Sequence, residues 1–265
     1  MRKRKKIRII SLIFLMILLF SSNTSVLAKE NPNTIEFLSY EDEIIVLKSP
    51  CETVVISEGN DVKSVLKGIN KENLGEIDLL VLNSFKEESN EFIAEVINDS
   101  NIKKILIPTL GGLNEETKSL MKSKNIEVLS MEEGFNYNKE SISLNAKRVD
   151  NSNEGMIFAT VDNIKIAVLS KESYDKALEL SKIEDCRVEI LNLNDGKEEK
   201  KKEIKKLIKT LNPLVIIENS EDNGFIKKMG VKHLNLNEEK GIKIIRVLGE
   251  TKEFEILSRK EGYTK

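Results

Sequence analysis

From about residue 34 onward the chain is built of short apolar runs separated by polar stretches of helical period. Ile35 to Leu38, Ile44 to Leu47 and Thr53 to Ile56 read as three closely spaced strands, the last two joined through Ser49-Pro50 as a hairpin turn. Asn60 is then a candidate helix cap before Val62, Val65 and Leu66 at helical spacing. Strand and helix alternate after that: strand Ile77 to Leu82, helix Asn90 to Ile97, strand Ile102 to Ile107, helix Glu115 to Met121 and strand Ile126 to Leu129. These strands are almost wholly apolar, as expected when both faces of a strand are covered. The polar stretch Glu132 to Glu140 predicts the break between two halves.

The second half repeats the scheme. Strands are predicted at Ile142 to Leu144, Met156 to Val161 and Ile164 to Leu169, then a helix from Ser173 to Ser181. Strand Val188 to Leu193, helix Lys200 to Leu211, strand Leu214 to Ile217 and helix Asp222 to Met229 follow, and Ile242 to Leu248 with Phe254 to Leu257 close the chain. Two halves of paired strands followed by strand and helix alternation predict an α/β fold, a four-layered αββα sandwich with helices outside two packed sheets. No linker rich in Pro, Gly or Ser divides the halves, so a single domain is expected over 29–265.

The first 28 residues follow a different logic. Arg2, Lys3, Arg4, Lys5, Lys6 and Arg8 form a basic run, Ile9 to Phe20 is apolar except Ser11, and Ser21 to Ala28 is small and polar, closing on Val26-Leu27-Ala28. That order is the pattern of a secretory signal peptide, with cleavage expected after Ala28. The apolar run is shorter than the roughly 20 residues of a spanning helix, so secretion is the first expectation and an N-terminal membrane anchor the alternative. Membrane contact is expected only through that segment. Cleavage would leave 36 basic against 44 acidic side chains, a net charge of −8, a poor start for a nucleic-acid binder. Cys51 and Cys186 would then meet an oxidising compartment, where either a disulfide or two separate thiols is open.

The 265 residues contain a single His, so a metal centre of several imidazoles is excluded, and no metal or other cofactor is expected. His233, among Val231, Leu234 and Leu236, reads as a core or edge histidine. Gly111-Gly112 before Asn114 reads as a turn and helix cap, lacking the glycine spacing and following Lys-Ser of a phosphate loop. From Lys197 to Lys209 seven lysines interleave with Glu198, Glu199 and Glu203, while Ile204, Leu207 and Ile208 make an apolar stripe, the signature of a solvated amphipathic helix.

The order and wording of the segments resemble the metallo-β-lactamase fold, and within it the extracellular domain at the end of the ComEC competence proteins. The resemblance rests on Ile35-Glu36-Phe37-Leu38, on Val54-Val55-Ile56-Ser57-Glu58-Gly59, and on Glu76-Ile77-Asp78-Leu79-Leu80-Val81-Leu82. It continues through Asn101 to Pro108, Ile164 to Leu169, Asn212 to Ile217 and Ile226 to Gly230. Such a resemblance implies metal-dependent hydrolysis, with a pair of ions held by three His and an Asp in the loop after the strand Asp78 to Leu82. By position Ser84, Lys86 and Ser89 stand where the imidazoles belong, and Glu88 stands for the Asp. Lys171 falls nearest the metal-bridging Asp, and Asp195, in Asn194-Asp195-Gly196, falls in a His-His-Gly element. The late His loop is shortened to Asn219-Ser220-Glu221-Asp222-Asn223, and an Asp-Gly-Gly turn becomes Ser57-Glu58-Gly59.

A protonated Lys cannot ligate a cation, and without metal there is neither Lewis acid nor metal-bound hydroxide. The reading that follows is a secreted, non-catalytic protein, with Glu58, Ser84, Lys86, Glu88, Ser89, Lys171 and Asp195 as remnants of a cleft that now serves binding or a structural role. Two alternatives stay open: a hydrolase of the superfamily with a rebuilt site, and an extracellular binder of DNA or envelope polymer. Glu58, Glu87, Glu88 and Asp195 would offer oxygen ligands to calcium if they converged, and Ser170-Lys171 is a weak nucleophile pair because neighbours after a strand point apart.

Overall fold

The computed structural model describes residues 33–39, 43–59, 61–150, 152–180, 187–193, 198–219, 224–246 and 254–258. The first half runs β1 (Thr34–Ser39), β2 (Glu43–Ser49), β3 (Glu52–Ser57), α1 (Val62–Lys71), β4 (Glu76–Ile77), β5 (Leu79–Leu82), α2 (Ser89–Asp99), β6 (Asn101–Ile102), β7 (Lys104–Ile107), α3 (Glu115–Ser123) and β8 (Glu127–Ser130). The second runs β9 (Phe135–Lys139), β10 (Ile142–Arg148), β11 (Gly155–Val161), β12 (Ile164–Leu169), α4 (Tyr174–Leu180), β13 (Ile190–Leu193), α5 (Lys201–Leu211), β14 (Val215–Glu218), α6 (Gly224–Lys227), β15 (Lys232–Asn235) and α7 (Leu236–Glu239). The chain then returns to the first sheet with β16 (Ile242–Arg246) and β17 (Phe254–Ser258).

The first sheet has the order β17-β16-β1-β2-β3-β5-β7-β8, antiparallel as far as β3 and parallel from β3 to β8. The second, β15-β14-β13-β12-β11-β10-β9, is antiparallel from β9 to β12 and parallel beyond. Alternation along each strand sends one set of apolar side chains between the sheets and the other toward helices. Ile45, Leu47, Val54, Ile56, Leu79 and Val81 meet Ile157, Ala159, Ile166, Val168, Ile190 and Ile217 in the central layer. Leu80, Leu82 and Ile105 pack against Val65, Ile93, Val96 and Met121 of α1 to α3, while Leu169, Leu191 and Ile216 pack against Tyr174, Ile204, Leu207 and Ile226 of α4 to α6. The layering is αββα. Among the described residues no helix is long and apolar enough to cross a membrane.

The structure corrects several sequence expectations. The cap of α1 is Asp61, whose carboxylate accepts from the Ser64 amide at 2.8 Å; Asn60 lies outside the described residues. Burial opposes ionisation of Asp61, but the Ser64 hydroxyl and amide outweigh it and hold the acid below its ordinary range. Ile77 to Leu82 is two strands, because Asp78 turns aside to accept from the Thr53 amide. Lys103 likewise interrupts Ile102 to Ile107. Glu132 to Glu140 is no simple break: Phe135 and Tyr137 of β9 pack on the central core while Asn136 and Asn138 face solvent. The last predicted helix is shorter, Gly224–Lys227, with its expected start at Asp222 outside the described residues. Cys51 is exposed and free in the β2–β3 turn, and Cys186 lies outside the described residues.

Candidate functional site

β3, β5 and β7 of one sheet and β12, β13 and β14 of the other end at one edge of the sandwich, where the loop after β5 is stitched between the sheets. The Asn83 amide donates to the Ser57 carbonyl at 2.7 Å, and the Asn83 carbonyl accepts from Gly155 at 2.6 Å. Ser84 forms an isolated antiparallel bridge with Glu154, and the Phe85 amide donates to Asn153 at 2.8 Å. Gly59, at φ +78°, turns the chain after β3 so closely that a Cβ there would stand 3.2 Å from the Ser84 carbonyl oxygen. Glu58, half-buried in that turn, is the nearest sequence neighbour of this contact.

The loop then enters α2. The Ser89 hydroxyl accepts the Lys86 amide at 2.9 Å, and Ser89 is buried, whereas Lys86, Glu87 and Glu88 are exposed. Asn90 ties this loop to the one after β7, its Nδ2 donating to Glu87 and Gly112 carbonyls at 3.0 Å each and its Oδ1 accepting from the Asn114 amide at 3.0 Å. Gly111-Gly112 is a turn leading into the Asn114 cap of α3, as its sequence suggests, and Gly112 leaves room for Phe85, whose ring a Cβ would meet at 2.6 Å.

Between the two loops opens a cleft of about 480 Å³ lined by Phe85, Lys86, Glu87, Asn90, Thr109, Asn114, Arg148 and Asn153. Arg148 is held there by Nε donating to the Ser152 carbonyl at 2.7 Å and Nη1 lying 3.2 Å from Glu132 Oε1. The Thr109 hydroxyl, 2.6 Å from the same oxygen, with Ser130 and Arg148, holds Glu132 below the ordinary carboxylate range.

Of the positions the sequence singles out, Ser84, Lys86, Glu88 and Ser89 lie together on one short loop beside Glu58, but only Lys86 lines the cleft. Lys171 starts the 3-10 turn after β12. Asp195 lies outside the described residues, as do 220–223 of the shortened late loop. His233 and Glu218 pair on the helix side of the second sheet, with side chains 4% and 0% exposed, so this imidazole is spent in a buried contact. Sequence reasoning missed Arg148, Asn153 and the tie through Asn90, since only folding brings residues 90, 112 and 148 together.

No family model matches the sequence, and no curated protein does. Solved structures do share its fold. A variant of the CmlA β-hydroxylase superposes with a TM-score of 0.56 at 8% identity over 80% of this chain and 54% of its own. The metallo-β-lactamase fold protein YhfI from Bacillus subtilis gives 0.52 at 7% identity over 77% of this chain and 96% of its own. This chain has the metallo-β-lactamase fold. CmlA from Streptomyces venezuelae, described as a diiron β-hydroxylase, gives 0.51 at 8% identity over 86% of this chain and 54% of its own. This chain thus spans about half the length of the CmlA chains, and at such identities the likeness is one of fold.

The metallo-β-lactamase fold implies metal in the loop after β5, and the side chains there do not suit it. Ser84 and Ser89 offer only neutral hydroxyls, that of Ser89 already accepting the Lys86 amide, Lys86 brings an ammonium, and Glu88 is exposed. Among the described residues no three His, Cys, Asp or Glu gather. Of the oxygen set Glu58, Glu87, Glu88 and Asp195, Glu87 and Glu88 are exposed, only Glu87 of the described three borders the cleft, and Asp195 lies outside the described residues.

Proposed function

We propose that this chain is an exported, non-catalytic protein of the metallo-β-lactamase fold, akin to the extracellular domain of the ComEC proteins, whose edge cleft binds a ligand or partner. The observation that carries this reading is the use made of the loop after β5. The positions that the resemblance assigns to metal ligands carry two neutral hydroxyls and an ammonium, and the Ser89 hydroxyl is engaged in holding the loop through the Lys86 amide. What they leave is a polar cleft of the size of small-molecule sites, lined by Lys86, Arg148, Asn114 and Asn153. Export is supported by the basic, apolar and small-residue order of residues 1–28. The test is metal content by mass spectrometry after exposure to zinc and manganese and desalting, alongside phosphodiester hydrolysis with and without chelator. Substoichiometric metal and no chelator-sensitive turnover are expected; tightly held stoichiometric metal with turnover would establish the rebuilt hydrolase instead.

A second reading, binding of an extracellular polyanion such as DNA, is favoured by α5. Its solvent face carries Lys202, Lys205, Lys206 and Lys209, all exposed, over a buried stripe of Ile204, Leu207, Ile208 and Leu211. Under this reading single-stranded DNA shifts in a gel at low salt, the shift fades steeply with added salt, and changing the four lysines to Glu removes it. No shift at low salt would end this reading.

A further inference from the structure

The cleft at the site edge gathers side chains from both sheets. Lys86 comes from the loop after β5 and Asn114 from the loop after β7, while Arg148 ends β10 and Asn153 sits in the connection from β10 to β11. The lining divides by the use made of its acceptors and its donors. Asn90 Oδ1 accepts the Asn114 amide at 3.0 Å, and Asn114 Oδ1 accepts the Thr117 amide at 2.7 Å. Thr109 Oγ1 accepts the Gly111 amide at 3.3 Å and donates its own proton to Glu132 at 2.6 Å. These side-chain oxygens are spent in fixing the loops around the cleft.

The donors are not spent in the same way. Among the described residues Lys86 Nζ, Asn114 Nδ2 and the Asn153 side-chain amide have no protein partner, and Arg148, engaged through Nε and Nη1, keeps Nη2 unengaged. Glu132 offsets part of the Arg148 charge, whereas Lys86 has no such counter-ion among the described residues. Two cations and two amide NH2 groups thus border one cavity of about 480 Å³, with the exposed Glu87 carboxylate as the opposing charge. The ligand that complements this lining brings acceptor oxygens and negative charge. Charge-assisted hydrogen bonds to oxyanions are the strong ones, and the planar arginine fork suits carboxylate and phosphate alike. A cationic ligand would meet two like charges and chiefly Glu87 in its favour.

We propose that this cleft captures a small ligand by an oxyanionic group, a phosphate or a carboxylate, bound by Lys86 and Arg148 together with the Asn114 and Asn153 amides and without a metal ion. This rests on the reading of the cleft as a non-catalytic binding site and names the chemistry of its ligand. The purified protein, stripped with EDTA and desalted, is titrated by calorimetry with sodium phosphate and with sodium succinate, against NaCl at matched ionic strength. Saturable binding of phosphate or succinate beyond the NaCl control is expected, the tighter of the two naming the oxyanion, and it weakens with added salt because both cations reach solvent. Lys86→Met removes a side chain with no contact to lose, so it should melt as the parent does and weaken binding about tenfold, the worth of one charge-assisted hydrogen bond. Arg148→Lys, which keeps the charge without the fork, should also weaken it. Lys206→Glu, on α5 and outside the cleft, should leave binding unchanged. No saturable binding of either anion, a Lys86→Met variant that binds as the parent does, or an equal loss in Lys206→Glu would overturn the proposal, while protein without metal or turnover would leave the non-catalytic reading standing. Anion binding that appears only after zinc is added, with chelator-sensitive turnover, would overturn both.

Discussion

Asp78 shows how one side chain can redirect a strand. Its carboxylate, 8% exposed, accepts the Thr53 amide at 3.0 Å and lies 3.0 Å from Lys103 Nζ and 3.4 Å from Lys139 Nζ. Burial opposes its charge, but the Thr53 amide and the two ammonium groups prevail and lower its pKa. An acid lowered on folding contributes stability that is present above its unfolded pKa and lost as pH falls through the folded one. Asp78→Asn should therefore cost about 1 kcal/mol at neutral pH, because both lysines are half-exposed and screened. Urea titrations should show that gap closing once pH drops below the ordinary aspartate range. Glu52 has the opposite sign: burial raises its pKa despite the Tyr137 hydroxyl it accepts, so its contribution is lost as pH rises through the folded value.

At the scale of elements, apolar runs were the legible signal, and the errors have local causes. The strands around Ile77 and Ile102 carry the expected hydrophobic pattern, yet Asp78 and Lys103 break them because their side chains are claimed by partners about 25 residues away. β9 is an edge strand that buries only alternate residues, so Phe-Asn-Tyr-Asn-Lys reads as polar unless its period of two is counted. β11 begins at Gly155, one residue before the apolar run, because that glycine occupies an inward position with no space for a side chain. A Cβ there would meet Met131 Sδ at 2.6 Å and Asn83 Oδ1 at 3.0 Å. Gly155→Ala should accordingly destabilise by about 1 to 3 kcal/mol, the usual cost of overpacking, read as a lower urea midpoint at unchanged slope.

For the whole molecule, the repeated scheme of paired strands and alternating strands and helices led correctly to αββα, since apolar period and run length are properties of consecutive residues. That Ser84, Lys86 and Ser89 stand at ligand positions is an expectation carried by the resemblance, read from residue identity and order alone. What the chain alone did not reveal is how those side chains are employed: Ser89 on the Lys86 amide, Asn90 between two loops, Arg148 at the cleft. Nor did it reveal the contact between the sheets in which Asn192 donates to Glu43 across 149 positions. Hydrophobic alternation dictates which face of a strand is buried, and so was written in the sequence; which buried oxygens meet, and which are left without donors, was decided only when two sheets from distant segments packed together.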